Sequence, residues 1–166
     1  MNTPDLIREF EYKGSQIKVE WYDLVGKDVP NLDWERVYAI GNVDGLAPVV
    51  CYENNQDNLP GGGIEPGETA EQALIREIDE ELNMDVLSWE PLVYQSWTEI
   101  SPNPKTGLSL RVYAKFVKKG EFENDPGGSV IGYRLVPIEK INNYIEYGTV
   151  GDRMVELVKT IQSKVK

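Results

Sequence analysis

Apolar and polar residues alternate along this chain in two rhythms, and the rhythms sketch its elements. From Ile17 to Leu24, Ile17, Val19 and Trp21 alternate with Lys18 and Glu20, the period-two pattern of a half-buried strand. Leu6 to Tyr12 forms its partner across a Lys13-Gly14-Ser15 turn. Arg36 to Val43 and Leu46 to Glu53 are two further strands, and the Asp44-Gly45 pair between them predicts a hairpin. Asn54 to Gly67, dense in Asn, Gly and Pro, is expected to be loop. Leu92 to Trp97 and Leu108 to Val117 form another pair of strands joined by Ser101 to Gly107, and Val130 to Val136 is the last strand, after a Gly/Pro-rich link from Gly120 to Gly128.

Two segments follow the helical period instead. Thr69 to Leu82 holds no Gly or Pro, and Thr69 stands where it can cap the first turn. Between Val150 and Val165, Val150, Met154, Leu157, Val158, Ile161 and Val165 fall on one face, which predicts an amphipathic helix packed on the sheet. A mixed sheet with two or three helices places the chain in the α/β or α+β class.

Composition narrows the chemistry. The chain has 166 residues, the size of one domain, with 40% apolar and 27% charged residues, a balance that can build a core. Its net charge of −11 argues against a nucleic-acid surface, but not against a phosphorylated small molecule bridged to the protein by divalent cations. There is no histidine, which excludes His general bases, Ser-His-Asp triads and His-containing zinc sites. Cys51 is the one cysteine, so no intrachain disulfide forms; it lies in an apolar run and is expected to pack in a strand. Met1 to Asp5 lack a basic and apolar leader pattern, and no apolar run is long enough to span a bilayer. A cytoplasmic protein without a membrane partner is the expectation.

A Glu-rich helix ordinarily turns its acids to solvent, which requires them to lie opposite its apolar stripe. At about 100° per residue from Ala70, the arc of Ala73, Leu74, Ile78 and Leu82 is centred at roughly 40°. Glu77 falls at about 340° and Glu81 at about 20°, inside that arc, with Glu80 at its edge near roughly 280°. Gln72, Arg76 and Asp79 take the solvent side. Glu77, Glu80 and Glu81 stand at i, i+3 and i+4, so their carboxylates converge on one patch that faces inward, where unpaired charge is costly. A hard divalent cation, Mg²⁺ or alternatively Mn²⁺, relieves that cost, and added Mg²⁺ is then expected to stabilise the apo-protein. Gly61-Gly62-Gly63 lets the backbone pass close to a ligand or metal, although no Walker A Lys follows. Glu68 suits the helix dipole at its N-terminus, and Arg76 can reach back to it.

The segment from Gly62 to Met84 resembles the signature of the Nudix hydrolase family: Gly, five residues, Glu, seven residues, Arg-Glu, an aliphatic, any residue, Glu-Glu, any residue, Gly, an aliphatic. Gly62, Glu68, Arg76, Glu77, Ile78, Glu80, Glu81 and Met84 fill it in register, and Asn83 stands in place of the second Gly. That position follows the helix in a left-handed conformation, which Asn tolerates next best after Gly. The resemblance implies an α/β/α sandwich with a mixed sheet for the core spanning 34–166; residues 1–30 lie outside the resemblance and are read as an added hairpin on the domain or at a homodimer interface.

It also implies Mg²⁺-dependent attack of water on a phosphorus of a nucleoside diphosphate linked to another group, or of a nucleoside triphosphate. Glu77, Glu80, Glu81 and the Gly61 carbonyl would hold the metal, Glu77 or else Glu80 would be the general base, and Gly62, Glu68 and Arg76 would organise the site. The family often adds an acid from outside the signature: Ser129 stands near the expected place, and Glu99, Glu121 and Glu123 are the candidates. Trp21, Trp34, Tyr38, Trp97 and Tyr133 can stack on a base or simply fill the core. The loop from Glu99 to Gly107 is a candidate lid, and Lys105 and Arg111 can meet phosphates or be solvated surface charges. A non-catalytic nucleotide sensor of the same fold is the alternative, and the intact trio of Glu residues weighs against it.

Overall fold

The computed structural model describes residues 3–164. Its centre is a mixed six-stranded sheet in the order β1-β2-β7-β8-β3-β6, with β1 Leu6–Tyr12, β2 Ser15–Asp23, β3 Arg36–Asn42, β6 Gly61–Gly63, β7 Met84–Glu99 and β8 Thr106–Lys118. β3 runs parallel to β8, and every other neighbouring pair in this sheet is antiparallel. β4 (Leu46–Tyr52), β5 (Asp57–Asn58) and β9 (Val130–Pro137) form a second, three-stranded sheet. Helix α1 covers Ala70–Leu82, α2 covers Asn142–Ile145 and α3 covers Thr149–Ser163. The fold is of the α/β class with helices on both faces of the sheet; Val165, expected on the last helical face, lies outside the described residues.

Strand alternation decides which helix packs where. Val37 and Ala39 of β3 and Leu110, Val112 and Ala114 of β8 turn to Ala73, Leu74, Ile78 and Leu82 of α1. The intervening Ile40 and Tyr113 join Met154, Leu157, Val158 and Ile161 of α3 in a second core. The polar positions between them on β8, Ser109 and Arg111, are buried as well, because both faces of this strand are covered.

Three elements depart from the pattern reading. Asp44 and Gly45 both take positive φ (51° and 89°), as a tight turn requires, but β3 and β4 share a single bridge, Val43 to Leu46, and then diverge into different sheets. The edge β4 leaves free on β3 is taken by β6, so 54–67 is not all loop; Gly61–Gly63 have no side chains with which to announce a strand. β7 begins at Met84, immediately after α1, rather than at Leu92. Its first half pairs with β8 alone and absorbs register shifts at Val86/Ser88 and Pro91/Val93, which erase a clean alternation.

Candidate active site

Helix α1 is fixed at both ends. The Thr69 hydroxyl accepts from Gln72 N–H while the Gln72 side chain accepts from Thr69 N–H, a complete capping box. Asn83 closes the C-terminus in the left-handed region (φ 52°, ψ 51°), and its amide donates to the Glu121 carbonyl at 2.8 Å. The apolar stripe then sets the helix against β3, and Gly61–Gly63 lie beside its acidic edge. A Cβ on Gly61, at φ 128°, would run into the Val37 carbonyl, and one on Gly62 would stand 2.5 Å from Glu77 Oε1. At Gly61 only glycine lets this strand pass so close to β3, while Gly62 leaves room for the Glu77 carboxylate.

Arg76 ties the acids together. Its Nε and Nη2 donate to the two oxygens of Glu68 at 2.8 and 2.9 Å, and Nη2 also donates to the Gly63 carbonyl at 2.9 Å. Nη1 reaches Glu77 Oε1 at 2.9 Å and Glu80 Oε2 at 3.4 Å. The Arg76 guanidinium, with help from the Glu65 N–H, holds the Glu68 carboxyl down at about 2, and Glu68 in turn raises the guanidinium. Arg76 is therefore a half-buried hub and not a residue of the solvent side. Lysine cannot hold this planar fork; were the acids that Arg76 positions to hold a metal, Arg76→Lys would lower kcat/KM roughly 10- to 100-fold, the usual cost of losing a group that orients metal ligands. Steady-state kinetics beside a thermal melt checks it; unchanged kinetics would remove Arg76 from the site.

The three helix acids sit at graded depth. Glu80 keeps 31% of its side chain exposed and Glu77 keeps 14%, whereas Glu81 as a residue is 5% exposed. Burial pushes Glu77 upward against the pull of Arg76. Glu81 is pushed up to about 8, first by burial, opposed by the Gly61 N–H that donates to its Oε2 at 2.8 Å, and reinforced by the charges of Glu77, Asp125 and Glu80. These residues open into a cleft of about 680 Å³ that also takes in Arg36, Tyr38, Tyr52, Asp125 and Ser129.

Asp125 is absent from the residues the sequence singles out. Its carboxylate accepts from the backbone N–H groups of Gly127, Ser129 and Val130 (2.8, 3.1 and 3.0 Å), which folds the loop around it at the mouth of the cleft. The Asp125-Pro126-Gly127-Gly128 run signals a turn, but only the fold brings that turn to α1. The other candidates lie elsewhere. Glu99 accepts from the Ser15 hydroxyl at 2.6 Å at the end of the hairpin, Glu121 meets Asn83 through its backbone, and Glu123 borders a smaller depression beside Asp79 and Glu80. Residues 100–105 close the turn between β7 and β8, with Glu99 N–H bonded to the Lys105 carbonyl, and neither they nor Lys105 line the cleft.

Of the aromatic candidates, Tyr38 borders the cleft. Trp34 packs edge-on to Tyr94 (5.6 Å), Tyr133 packs edge-on to Phe122 (6.5 Å), Trp97 joins the α3-side core, and Trp21 lies against Arg111. Arg111 is not a solvated surface charge: it is 5% exposed. Cys51 is half-buried in β4 and accepts a contact from Arg134 Nε at 3.3 Å.

The donors beside α1 are hard oxygens, and the buried Glu81 carboxylate has a backbone N–H as its only hydrogen-bond partner among the described residues, so their chemistry fits a hard divalent cation. As placed, however, no three His, Cys, Asp or Glu side chains among the described residues stand close enough to cage one. Arg76 draws Glu77 and Glu80 toward itself, and like charges keep the carboxylates apart, so the tight convergence expected from the i, i+3, i+4 spacing is not preformed.

The NUDIX domain family model matches residues 50–158. No curated protein matches the chain. Among solved structures, the pyrophosphohydrolase BsRppH of Bacillus subtilis is 22% identical, with a TM-score of 0.65 over 92% of this chain and 96% of that one. A NUDIX hydrolase from Nitrosomonas europaea is 20% identical with a TM-score of 0.59 (77% and 90% covered), and an ADP compounds hydrolase is 14% identical with a TM-score of 0.56 (98% and 94% covered). At these identities the likeness is one of fold. No helix among the described residues is long and apolar enough to cross a membrane.

Proposed function

This chain belongs to the Nudix hydrolase family, and we propose that it is a Mg²⁺-dependent pyrophosphohydrolase that cleaves the phosphoanhydride of a nucleoside diphosphate joined to another group, or of a nucleoside triphosphate. The observation that carries the reading is Glu81. It is a nearly inaccessible carboxylate with no cation beside it among the described residues, backed by Glu77, Glu80 and Asp125 at the floor of an open cleft. Natural proteins rarely leave such charge uncompensated unless a ligand supplies the compensation.

Glu77, Glu80, Glu81 and the Gly61 carbonyl are the groups that would hold Mg²⁺, with Mn²⁺ the next best ion and Asp125 a further oxygen donor at the mouth. When bound, the ion would screen the diphosphate and lower the pKa of a water. Glu77 is the proposed base, because burial makes it a better proton acceptor than an exposed carboxylate. It takes the proton of the attacking water as the water oxygen bonds to phosphorus and the bridging P–O bond breaks, giving two phosphorylated products. Glu80, the more exposed of the pair, is the next candidate. Glu68 and Arg76 hold the glycine strand and the helix in register, and Arg36, which donates to the Tyr38 hydroxyl at 3.2 Å, offers a cation to the phosphates.

A panel of nucleotide sugars, ADP-ribose, dinucleotide cofactors and nucleoside triphosphates, assayed for phosphate-containing products with Mg²⁺, tests the reading. Turnover of at least one class is expected. Binding without turnover across the panel would instead identify a sensor of the same fold.

A further inference from the structure

A second cavity, of about 600 Å³, opens on the other face of the central sheet, between the β1/β2 hairpin and the approach to α3. Its floor is Arg111, which stands in β8 beside Tyr38 of β3 and Val93 of β7. The guanidinium has no carboxylate partner among the described residues. Its Nε and Nη1 are the buried side-chain polar atoms that lack any hydrogen-bond partner among the described residues. Rings surround it instead: Trp21 lies 4.5 Å from the guanidinium carbon, Tyr38 5.6 Å and Tyr147 5.8 Å. An arginine remains charged when buried, so this is a cation with two unpaired, buried donors packed among aromatic rings at the base of a cavity that Arg8, Asn58, Gln95 and Glu146 also line.

The two chambers are neighbours across Tyr38. Tyr38 borders the acidic cleft and flanks Arg111, and the Tyr147 hydroxyl donates at 2.6 Å to Asn58, three residues before Gly61. The cleft beside α1 is lined by carboxylates and bare backbone and suits phosphates joined through a cation. The Arg111 cavity is lined by the rings of Phe10, Trp21 and Tyr147 and by the polar residues Arg8, Asn58, Gln95 and Glu146, and suits a flat ring with polar edges. Resting on the pyrophosphohydrolase reading, we propose that this cavity holds the nucleobase of the substrate and that Arg111 selects a 6-oxopurine. Guanine and hypoxanthine present two adjacent acceptors, N7 and O6, to a guanidinium, whereas adenine places an amino donor against it.

The test compares GTP, ITP and ATP, and GDP-glucose with ADP-glucose, by kcat/KM, together with calorimetric binding of GMP, IMP and AMP, which are not hydrolysed. Guanine and hypoxanthine compounds are expected to exceed adenine compounds by about 10- to 100-fold, the discrimination that a guanidinium–base pair provides. Arg111→Met, close to isosteric along the stem and free of the buried charge, should melt no lower than wild type and bring the guanine-to-adenine ratio toward one. Arg111→Lys, which keeps the charge but not the paired donors, should lower the ratio as well. Equal use of guanine and adenine by the wild type, or a preference that survives both substitutions, overturns the assignment. GMP preference without turnover of any compound would leave the cavity standing and sink the reaction; turnover without preference would do the reverse.

Discussion

Glu77→Gln is expected to lower kcat by about 100- to 10,000-fold, the range for removal of a positioned general base, with the melting temperature kept or slightly raised. The side chain keeps its size, and Arg76 keeps its two bonds to Glu68 and its bond to the Gly63 carbonyl. What is lost is a half-buried carboxylate whose pKa burial has raised, so stability has little to lose. Steady-state kinetics and a thermal melt on the same preparation separate the two effects. If turnover stays within a few-fold of wild type, the proton goes elsewhere and Glu80 becomes the first alternative.

Glu81→Gln should change stability in the opposite sense to most core substitutions. The folded protein holds Glu81 at about 8, well above the ordinary 4.5, so the folded state binds this proton more tightly than the unfolded chain. The contribution is therefore fully present below about 4.5 and is lost as pH rises to about 8, a change on the order of a few kcal/mol. Gln carries no charge at any pH and can still accept from the Gly61 N–H. Its variant should melt above the wild-type apo-protein at pH 8 and converge with it near pH 5. Mg²⁺ should raise the wild-type melting temperature more at pH 8 than at pH 6, since metal ligation needs the carboxylate, and should raise that of the variant little. A wild-type melting temperature indifferent to Mg²⁺ at both pH values would refute the metal role assigned to Glu81.

The helix and its inward acids were legible because both are periodic. Thr69 marks the start, four apolar residues define a face, and the wheel places Glu81 within it, where the structure buries it. The wheel misplaces Arg76 because it reports the direction of Cβ, while a long side chain ends a turn away; the guanidinium folds back over the first turn to Glu68. Asp125 was illegible for another reason. Its turn chemistry is local, but its arrival beside Glu77 and Glu81 depends on β9 pairing with β4, a long-range event. Arg111 hides in a strand whose polar positions suggest one solvated face, and only the packing of β2 and of the α2–α3 approach covers it. The glycines of β6 gave no periodic signal at all.

The central claim is that the carboxylates of α1 act through a divalent cation on a phosphoanhydride. The most direct measurement is turnover of the best substrate by the wild-type chain after chelation with EDTA, with Mg²⁺ then titrated back. Activity should vanish with the chelator and return saturably with Mg²⁺. Hydrolysis that persists undiminished in EDTA, with a matching rate for Glu77→Gln, would contradict it.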